Sequence, residues 1–155
     1  MVVFCMMNCN NADDFLNKFW TGEVPIQVEH LGTLAGITTI HSDLVETSSV
    51  DVENKIIIVN KINSKERIRF CIAHSIGHIV LGHSSHAENV NNFSSLGFDE
   101  QSMANKFAID LLVPPKVLKY CVGNGLVKLE LLCSKFLVSE ALMAAQLKSV
   151  FKILR

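Results

Sequence analysis

Two histidines four residues apart, His74 and His78, have the clearest capacity for chemistry in this sequence. On a helix, that spacing places both imidazoles on one face and one turn apart, where they can reach a single tetrahedral zinc ion. Capping or packing explains most such pairs, but here the surrounding residues are apolar, and burying imidazoles without partners is costly. Gly77 also removes side-chain bulk beside the pair. The segment therefore predicts a metal-binding helix.

Position 75, next to the first histidine, decides what such a site can do. In the motif His-Glu-x-x-His, the glutamate polarises the zinc-bound water and then shuttles its proton. This chain has Ser75 there, and a neutral hydroxyl is too weak a base for that role. Loss of a general base commonly lowers a rate by about 10²–10⁴. A mid-helix serine beside the histidines also lacks the base and orienting group of a nucleophile.

The elements that must position these residues can be read from local patterns. A helix from about 65 to 81 carries both histidines, with Ser64 as its N-cap and Gly82 at its end. Alternating and β-branched residues predict strands before it, the first two of which we expect to pair. The predicted strands are 37–41, 45–52 and 56–59, the other predicted helices are 11–20, 25–35, 99–113, 130–136 and 140–151, and residues 83–97 are expected to be a loop.

This order of elements predicts the fold class. The expected structure is a single α+β domain over residues 1–155, mostly helical, with a small sheet preceding the long metal-site helix. His83, at the end of that helix, is expected to act as a C-terminal cation rather than as a ligand. His86 is expected to be solvated in the loop. Both histidines remain alternative ligands.

The composition limits the partners to be considered. With 14 Lys and Arg against 15 Asp and Glu, the 155 residues give no electrostatic reason to expect nucleic acid or a membrane surface. The last predicted helix has no basic residue over 140–147, which argues against a DNA-reading role. No apolar run approaches the ~20 residues of a membrane span, and no signal peptide is recognised. Five scattered cysteines do not form a disulfide framework, so we expect a cytoplasmic setting.

Three segments together resemble the ImmA/IrrE-like metallopeptidases. Residues 67–78, R-I-R-F-C-I-A-H-S-I-G-H, are similar to the family's R-x-R-F-T-x-A-H-E-x-G-H. Residues 103–114, M-A-N-K-F-A-I-D-L-L-V-P, resemble its E-A-N-x-F-A-x-x-L-L-M-P, and residues 132–141 resemble its C-terminal L-A-x-x-F-x-V-S pattern. The order and the intervals also agree, so the combination is specific and covers most of the chain.

The resemblance implies a gluzincin-like, zincin-type fold and a zinc ion held by two histidines and a glutamate. That glutamate usually lies four residues before the asparagine of the second segment, and this position holds Gln101. An amide oxygen is an uncharged and weaker zinc ligand than a carboxylate. Glu100 is adjacent, and a small helix shift would bring it in as a substitute. With Ser75, this makes two departures from the family pattern, and both weaken the same chemistry.

Family members typically cleave or inactivate a DNA-bound repressor, and many are carried by phages and mobile elements. The resemblance therefore implies a protein partner, a transcriptional repressor or another regulator. Our leading interpretation is a catalytically impaired metallopeptidase that binds and thereby regulates this partner. We expect its cleft between the long helix and the strand 56–60, whose edge could pair with an extended peptide.

Three alternatives stay open at this point. The chain could be an active zinc endopeptidase that cleaves a transcriptional repressor, with Glu100 as its base. Ser75 could be an engineered substitution that traps an active enzyme, although Gln101 would then be unexplained. The chain could also be a non-enzymatic, antitoxin-like interaction module. The sequence leaves zinc occupancy, the identity of the partner and the oligomeric state open.

Overall fold

The helix predicted around the two histidines is the central element of the molecule. The computed structural model describes residues 8–83, 86–88 and 98–152. The helices are α1 (Ala12–Phe19), α2 (Val28–Leu34), α3 (Lys65–Leu81), α4 (Phe98–Leu112), α5 (Pro115–Gly123), α6 (Leu129–Phe136) and α7 (Glu140–Phe151). The strands are β1 (Thr38–Ser42), β2 (Ser48–Asp51), β3 (Ile56–Asn60) and β4 (His86–Glu88). The predicted α+β class, mostly helical with a small sheet, is confirmed.

Local signals at its two ends define α3. The Ser64 hydroxyl accepts a hydrogen bond from the backbone N–H of Arg67, and Gly82 ends the helix with a left-handed φ of 71°. Every residue from Cys71 to Ile79 is buried. A helix enclosed on all sides needs apolar residues all round rather than one apolar stripe. The sheet covers one side of α3 and α4 covers another.

The sheet has the strand order β1-β3-β2-β4. Strand β3 pairs in parallel with β1 and antiparallel with β2, and β2 also pairs antiparallel with β4. The expected pairing of the first two strands is therefore wrong, because β2 turns back directly onto β3 as a hairpin. The side chain of Asp51 supports that turn by accepting hydrogen bonds from the backbone and side chain of Asn54.

The position of β3 overturns one functional expectation. Because β3 is hydrogen-bonded on both sides, it has no free edge for an extended peptide. Its alternate residues Ile57 and Val59 are fully buried, as suits one of the two interior strands of the sheet. The edge strands of the described sheet are β1 and β4.

The predicted helices match closely, with one omission. Helix α5 is absent from the helices that the sequence predicts; it follows α4 closely and begins at Pro115. Proline suits the first helical position, because its fixed φ is helical and its missing N–H is not needed there. Within the predicted loop 83–97, residues 86–88 form β4, while 84–85 and 89–97 lie outside the described residues.

The C-terminal helices pack on one another and on α4. Ser139 caps α7 by accepting a hydrogen bond from the backbone N–H of Leu142 at 3.2 Å. Helix α7 contacts α4, α5 and α6. In the described part of the chain, no helix combines the length and the apolar character needed to span a lipid bilayer.

Candidate metal centre

The side chains of His74, His78 and Gln101 converge between α3 and α4. The Nε2 atoms of the two histidines lie 3.0 Å apart. Gln101 Oε1 lies 2.9 Å from His74 Nε2, although the two residues are 27 positions apart in the sequence. His74 is 3% exposed and His78 is fully buried. The structure thus brings together the three side chains that we named as metal-site residues.

A close approach of α4 to α3 allows this contact, and Gly77 permits it. A Cβ atom at Gly77 would lie 3.1 Å from Phe107 Cβ and 3.1 Å from Phe107 Cδ1, closer than ordinary van der Waals contact. Phe107 is itself buried in the core. The sequence predicted that Gly77 removes bulk beside the histidines, and the structure shows that it makes room for α4.

The three converging atoms fit a zinc ion in their spacing. Ligands bound about 2.0–2.1 Å from a tetrahedral zinc lie roughly 3.3 Å from each other, close to the observed 2.9 and 3.0 Å. His74, His78 and Gln101 would hold the ion and leave a fourth position open. Bound there, zinc would act as a Lewis acid toward an oxygen atom.

The donor set is less favourable in charge than in shape. Two imidazoles and an amide bring no negative charge to a divalent cation, whereas a carboxylate would. In residues 8–83, 86–88 and 98–152, no group of three His, Cys, Asp or Glu side chains could hold a metal ion. The third donor of the convergent set is the amide of Gln101, which is none of these four residue types.

Ser75 lies inside the core next to these residues. It is fully buried, and its Oγ atom has no hydrogen-bond partner among the described residues. A serine nucleophile needs a base that accepts its proton. The structure therefore places at position 75 a hydroxyl without a base, where the motif of a working peptidase has a carboxylate.

Glu100 does not take the place of Gln101. Successive residues of an α-helix project about 100° apart, and Gln101 is the residue that contacts His74. Glu100 is half-buried on the neighbouring face of α4. A rotation of α4 would be needed to exchange the two side chains.

His83 is the functional residue whose placement we missed. It is 8% exposed, and its Nδ1 atom lies 2.9 Å from His78 Nδ1. The chain reverses its direction at Gly82. There the N–H of His83 donates to the carbonyl of His78, and the N–H of Gly82 donates to the carbonyl of Ile79. This is a Schellman motif, in which the side chain after the glycine frequently contacts a residue of the last helical turn. Gly82 could have predicted the contact. The side chain of His86 lies outside the described part.

A groove of about 530 Å³ lies between the N-terminal half of α3 and helices α4 and α7. Its walls include Phe70, Ile109, Leu142 and Ala145. The ring centroid of Phe70 is 5.7 Å from that of His74, so one wall residue of the groove contacts a metal-site residue. This groove lies among three helices rather than beside β3.

Comparisons with known proteins agree with this architecture. Among solved structures, a Mycobacterium tuberculosis transcriptional regulator matches with a TM-score of 0.67 and 17% identity, a likeness that concerns the fold. The match covers 88% of this chain but 44% of that regulator, so this chain spans less than half of its length. No curated protein is significantly similar. A peptidase family model described as the IrrE N-terminal-like domain matches residues 29–148, which include the whole convergent set, and the chain therefore belongs to that family.

Proposed function

We propose that this protein binds a transcriptional repressor or a related regulatory protein and controls it by holding it rather than by cleaving it. The observation that carries the proposal is the buried Ser75 at the position of the general base, with its Oγ lacking a hydrogen-bond partner among the described residues. Membership of a peptidase family supports a peptide-binding role. The similarity of the fold to that of a transcriptional regulator supports a regulatory setting.

The chemistry of hydrolysis is weakened at two independent points. A metallopeptidase needs a metal that polarises water and a base that removes the proton of that water. The neutral amide of Gln101 weakens the first requirement, and Ser75 does not meet the second. Both side chains lie within well-formed helices. A protein with both changes keeps its binding surfaces and loses peptide hydrolysis.

The groove beside Phe70 is the surface that we assign to the partner. Its volume of about 530 Å³ is within the range of specific binding sites. Five of its ten lining residues are apolar, and Ser64 and Ser139 among the polar ones are helix N-caps. This composition suits a peptide segment that inserts apolar side chains and keeps its polar groups at the rim.

A second candidate function is favoured by one observation. The contacts of His74 with Gln101 at 2.9 Å and with His78 at 3.0 Å keep the shape of a metal site. An active zinc endopeptidase would use that shape and would recruit Glu100 as its base through a rotation of α4. This candidate predicts metal-dependent hydrolysis of the partner, whereas the binding proposal predicts no hydrolysis.

The two candidates can be separated with the product of any repressor gene that neighbours the gene of this protein. The purified chain and that repressor are mixed with Zn²⁺ or with EDTA, and the mixture is analysed by size-exclusion chromatography and intact-mass spectrometry. We expect a complex in both conditions, with both masses unchanged. Fragments of the repressor that form with Zn²⁺ and not with EDTA would show an active peptidase instead.

A pair of variants tests the groove. Ala145 is exposed on α7 and lines the groove, so Ala145→Arg fills it with a long charged side chain. Ser134→Arg adds the same side chain to an exposed position of α6 outside the groove. We expect Ala145→Arg to abolish the complex and Ser134→Arg to keep it. Equal binding by both variants would exclude the groove as the partner's site.

A further inference from the structure

With the Gln101 amide oriented as in the structure and the imidazoles neutral, the contacts around the metal-site residues give one assignment of the histidine protons. Gln101 Oε1 can only accept a hydrogen bond, so His74 Nε2, at 2.9 Å, carries a proton and donates it. The same N–H faces His78 Nε2 at 3.0 Å, so the bond is shared and His78 Nε2 is the second acceptor. In this arrangement the lone pair of His78 Nε2 faces His74 Nε2.

This arrangement determines the other nitrogen of His78. A neutral imidazole carries one proton, and with Nε2 as an acceptor that proton lies on Nδ1. His78 Nδ1 is 2.9 Å from His83 Nδ1, so His83 accepts the bond and carries its own proton on Nε2. The chain of contacts from Gln101 to His83 thus has one consistent direction.

The position of His83 is well determined by its surroundings. Its side chain is 8% exposed, and its backbone is fixed by the bond from its N–H to the carbonyl of His78 at 2.9 Å. The two imidazole centroids lie 5.1 Å apart at an interplanar angle of 66°. Because His83 contacts the Nδ1 side of His78, it lies on the side of that ring opposite to Nε2.

We propose that His83 is a positioning residue that accepts the Nδ1 proton of His78 and so keeps the Nε2 lone pair of His78 available for a divalent metal ion. Partners that bond to the outer nitrogen of a ligating histidine fix its tautomer and its orientation. Gln101 and His74 would be the other metal-facing groups, and His83 would not be a ligand. This inference concerns metal binding alone and goes beyond the proposed function, since it holds whether or not the protein binds a regulator.

The tautomer can be measured directly in the metal-free protein. With ¹⁵N-labelled histidine, the ring-nitrogen shifts in NMR distinguish a proton on Nδ1 from a proton on Nε2. We expect His78 to carry its proton on Nδ1 and His83 to carry its proton on Nε2. A His78 that is protonated on Nε2 in the unmodified chain would overturn the proposal.

The affinity for Zn²⁺ gives the second measurement, by competition with a chromophoric chelator. Loss of such a partner typically weakens metal affinity by about 10–100-fold, and we expect this for His83→Leu. His83→Asn supplies an amide oxygen that can accept the Nδ1 proton, so it should keep most of the affinity. His41→Leu is the matched control, because the exposed side chain of His41 on β1 pairs with Glu29 of α2.

Each outcome decides the question. Zn²⁺ binding by His83→Leu that equals that of the unmodified chain would overturn the proposal, as would an unmodified chain that binds no Zn²⁺. If His83→Leu fails to fold, as judged by circular dichroism, the tautomer and the affinity of His83→Asn decide. An Nδ1 proton on His78, together with retained affinity in His83→Asn, supports the positioning role.

Discussion

At the scale of single residues, the two departures from a working peptidase differ in kind. Glutamine and glutamate have nearly the same shape, so Gln101 keeps the geometry of a third ligand and loses only its charge. Serine is much smaller than glutamate, so Ser75 loses the reach as well as the charge. The contact of 2.9 Å between Gln101 and His74 shows that the geometry persists. Restoring the two carboxylates should therefore have separable effects on metal binding and on catalysis.

The first prediction follows from this difference. Gln101→Glu should raise the affinity for Zn²⁺, because a carboxylate adds a negative charge at a position that already points to His74. Adding Ser75→Glu should then raise peptide hydrolysis by about 10²–10⁴ over Gln101→Glu alone, the usual contribution of a general base. Chelator competition measures the affinity, and a fluorogenic peptide library measures hydrolysis.

A matched control distinguishes base catalysis from an effect of side-chain size. Gln101→Glu combined with Ser75→Gln introduces a side chain of the same length at position 75 that cannot accept the proton. We expect this double variant to bind Zn²⁺ and to hydrolyse no peptide. Equal hydrolysis by the Glu and Gln variants at position 75 would contradict the assignment of that position to the base.

At the scale of elements, the packing of α3 against α4 determines the site. The histidines are on α3, the third donor is on α4, and Gly77 sets how closely the two helices approach. Phe107 covers Gly77 with its Cβ and the base of its ring, which cannot move without moving the backbone of α4. The glycine thus acts on Gln101 through the position of a whole helix.

The second prediction concerns this contact. Gly77→Ala should lower the free energy of unfolding by about 1–3 kcal/mol, the usual effect of overpacking a core, less up to about 1 kcal/mol that alanine gains as a better helix former. Urea unfolding measures the change. Gly123→Ala is the control, since a Cβ there would meet nothing within 4 Å, and it should stabilise the protein slightly. A Gly77→Ala variant as stable as Gly123→Ala would show that α4 adapts freely.

At the scale of the whole molecule, Arg69 connects parts of the chain that are distant in sequence. From α3 its Nη1 donates to the carbonyl of Ile26 at 2.6 Å, and its Nε and Nη2 donate to the carbonyls of Leu137 and Phe136 at 3.1 and 3.2 Å. Phe136 and Leu137 form the C-terminal end of α6, whose carbonyls have no partners within the helix. Burial lowers the pKa of Arg69 from its usual value, but a guanidinium stays charged in proteins.

The third prediction follows from these bonds. Arg69→Met keeps an apolar stem and removes the donors of three carbonyls, and a buried acceptor without a partner costs about 1–3 kcal/mol. We expect the free energy of unfolding in urea to fall by about 3 kcal/mol or more. Arg69→Lys keeps the charge but not the fork of donors. Its stability should lie between that of the unmodified chain and that of Arg69→Met. Lys65→Met, at an exposed position of the same helix, should change stability by less than about 0.5 kcal/mol.

The sequence by itself determined the metal-site helix. Its bounds, its N-cap Ser64 and its end at Gly82 agree with the structure, because caps and helical periodicity depend on residues within a few positions of one another. The one-turn spacing of His74 and His78 is local in the same sense. The place of Gln101 was implied by family resemblance, since no local rule connects positions 27 residues apart.

Tertiary structure alone decided the features that depend on distant contacts. Strand β3 is an interior strand because β2 folds back on one side of it and β1 pairs with the other. The residue pattern of 56–59 is compatible with an edge strand or an interior strand. The packing of α4 places Gln101, and not Glu100, next to His74. Helix α7 supplies part of the wall of the groove beside Phe70. The physical reason is that local propensity fixes an element and the faces it presents, whereas the packing of the core determines which faces meet.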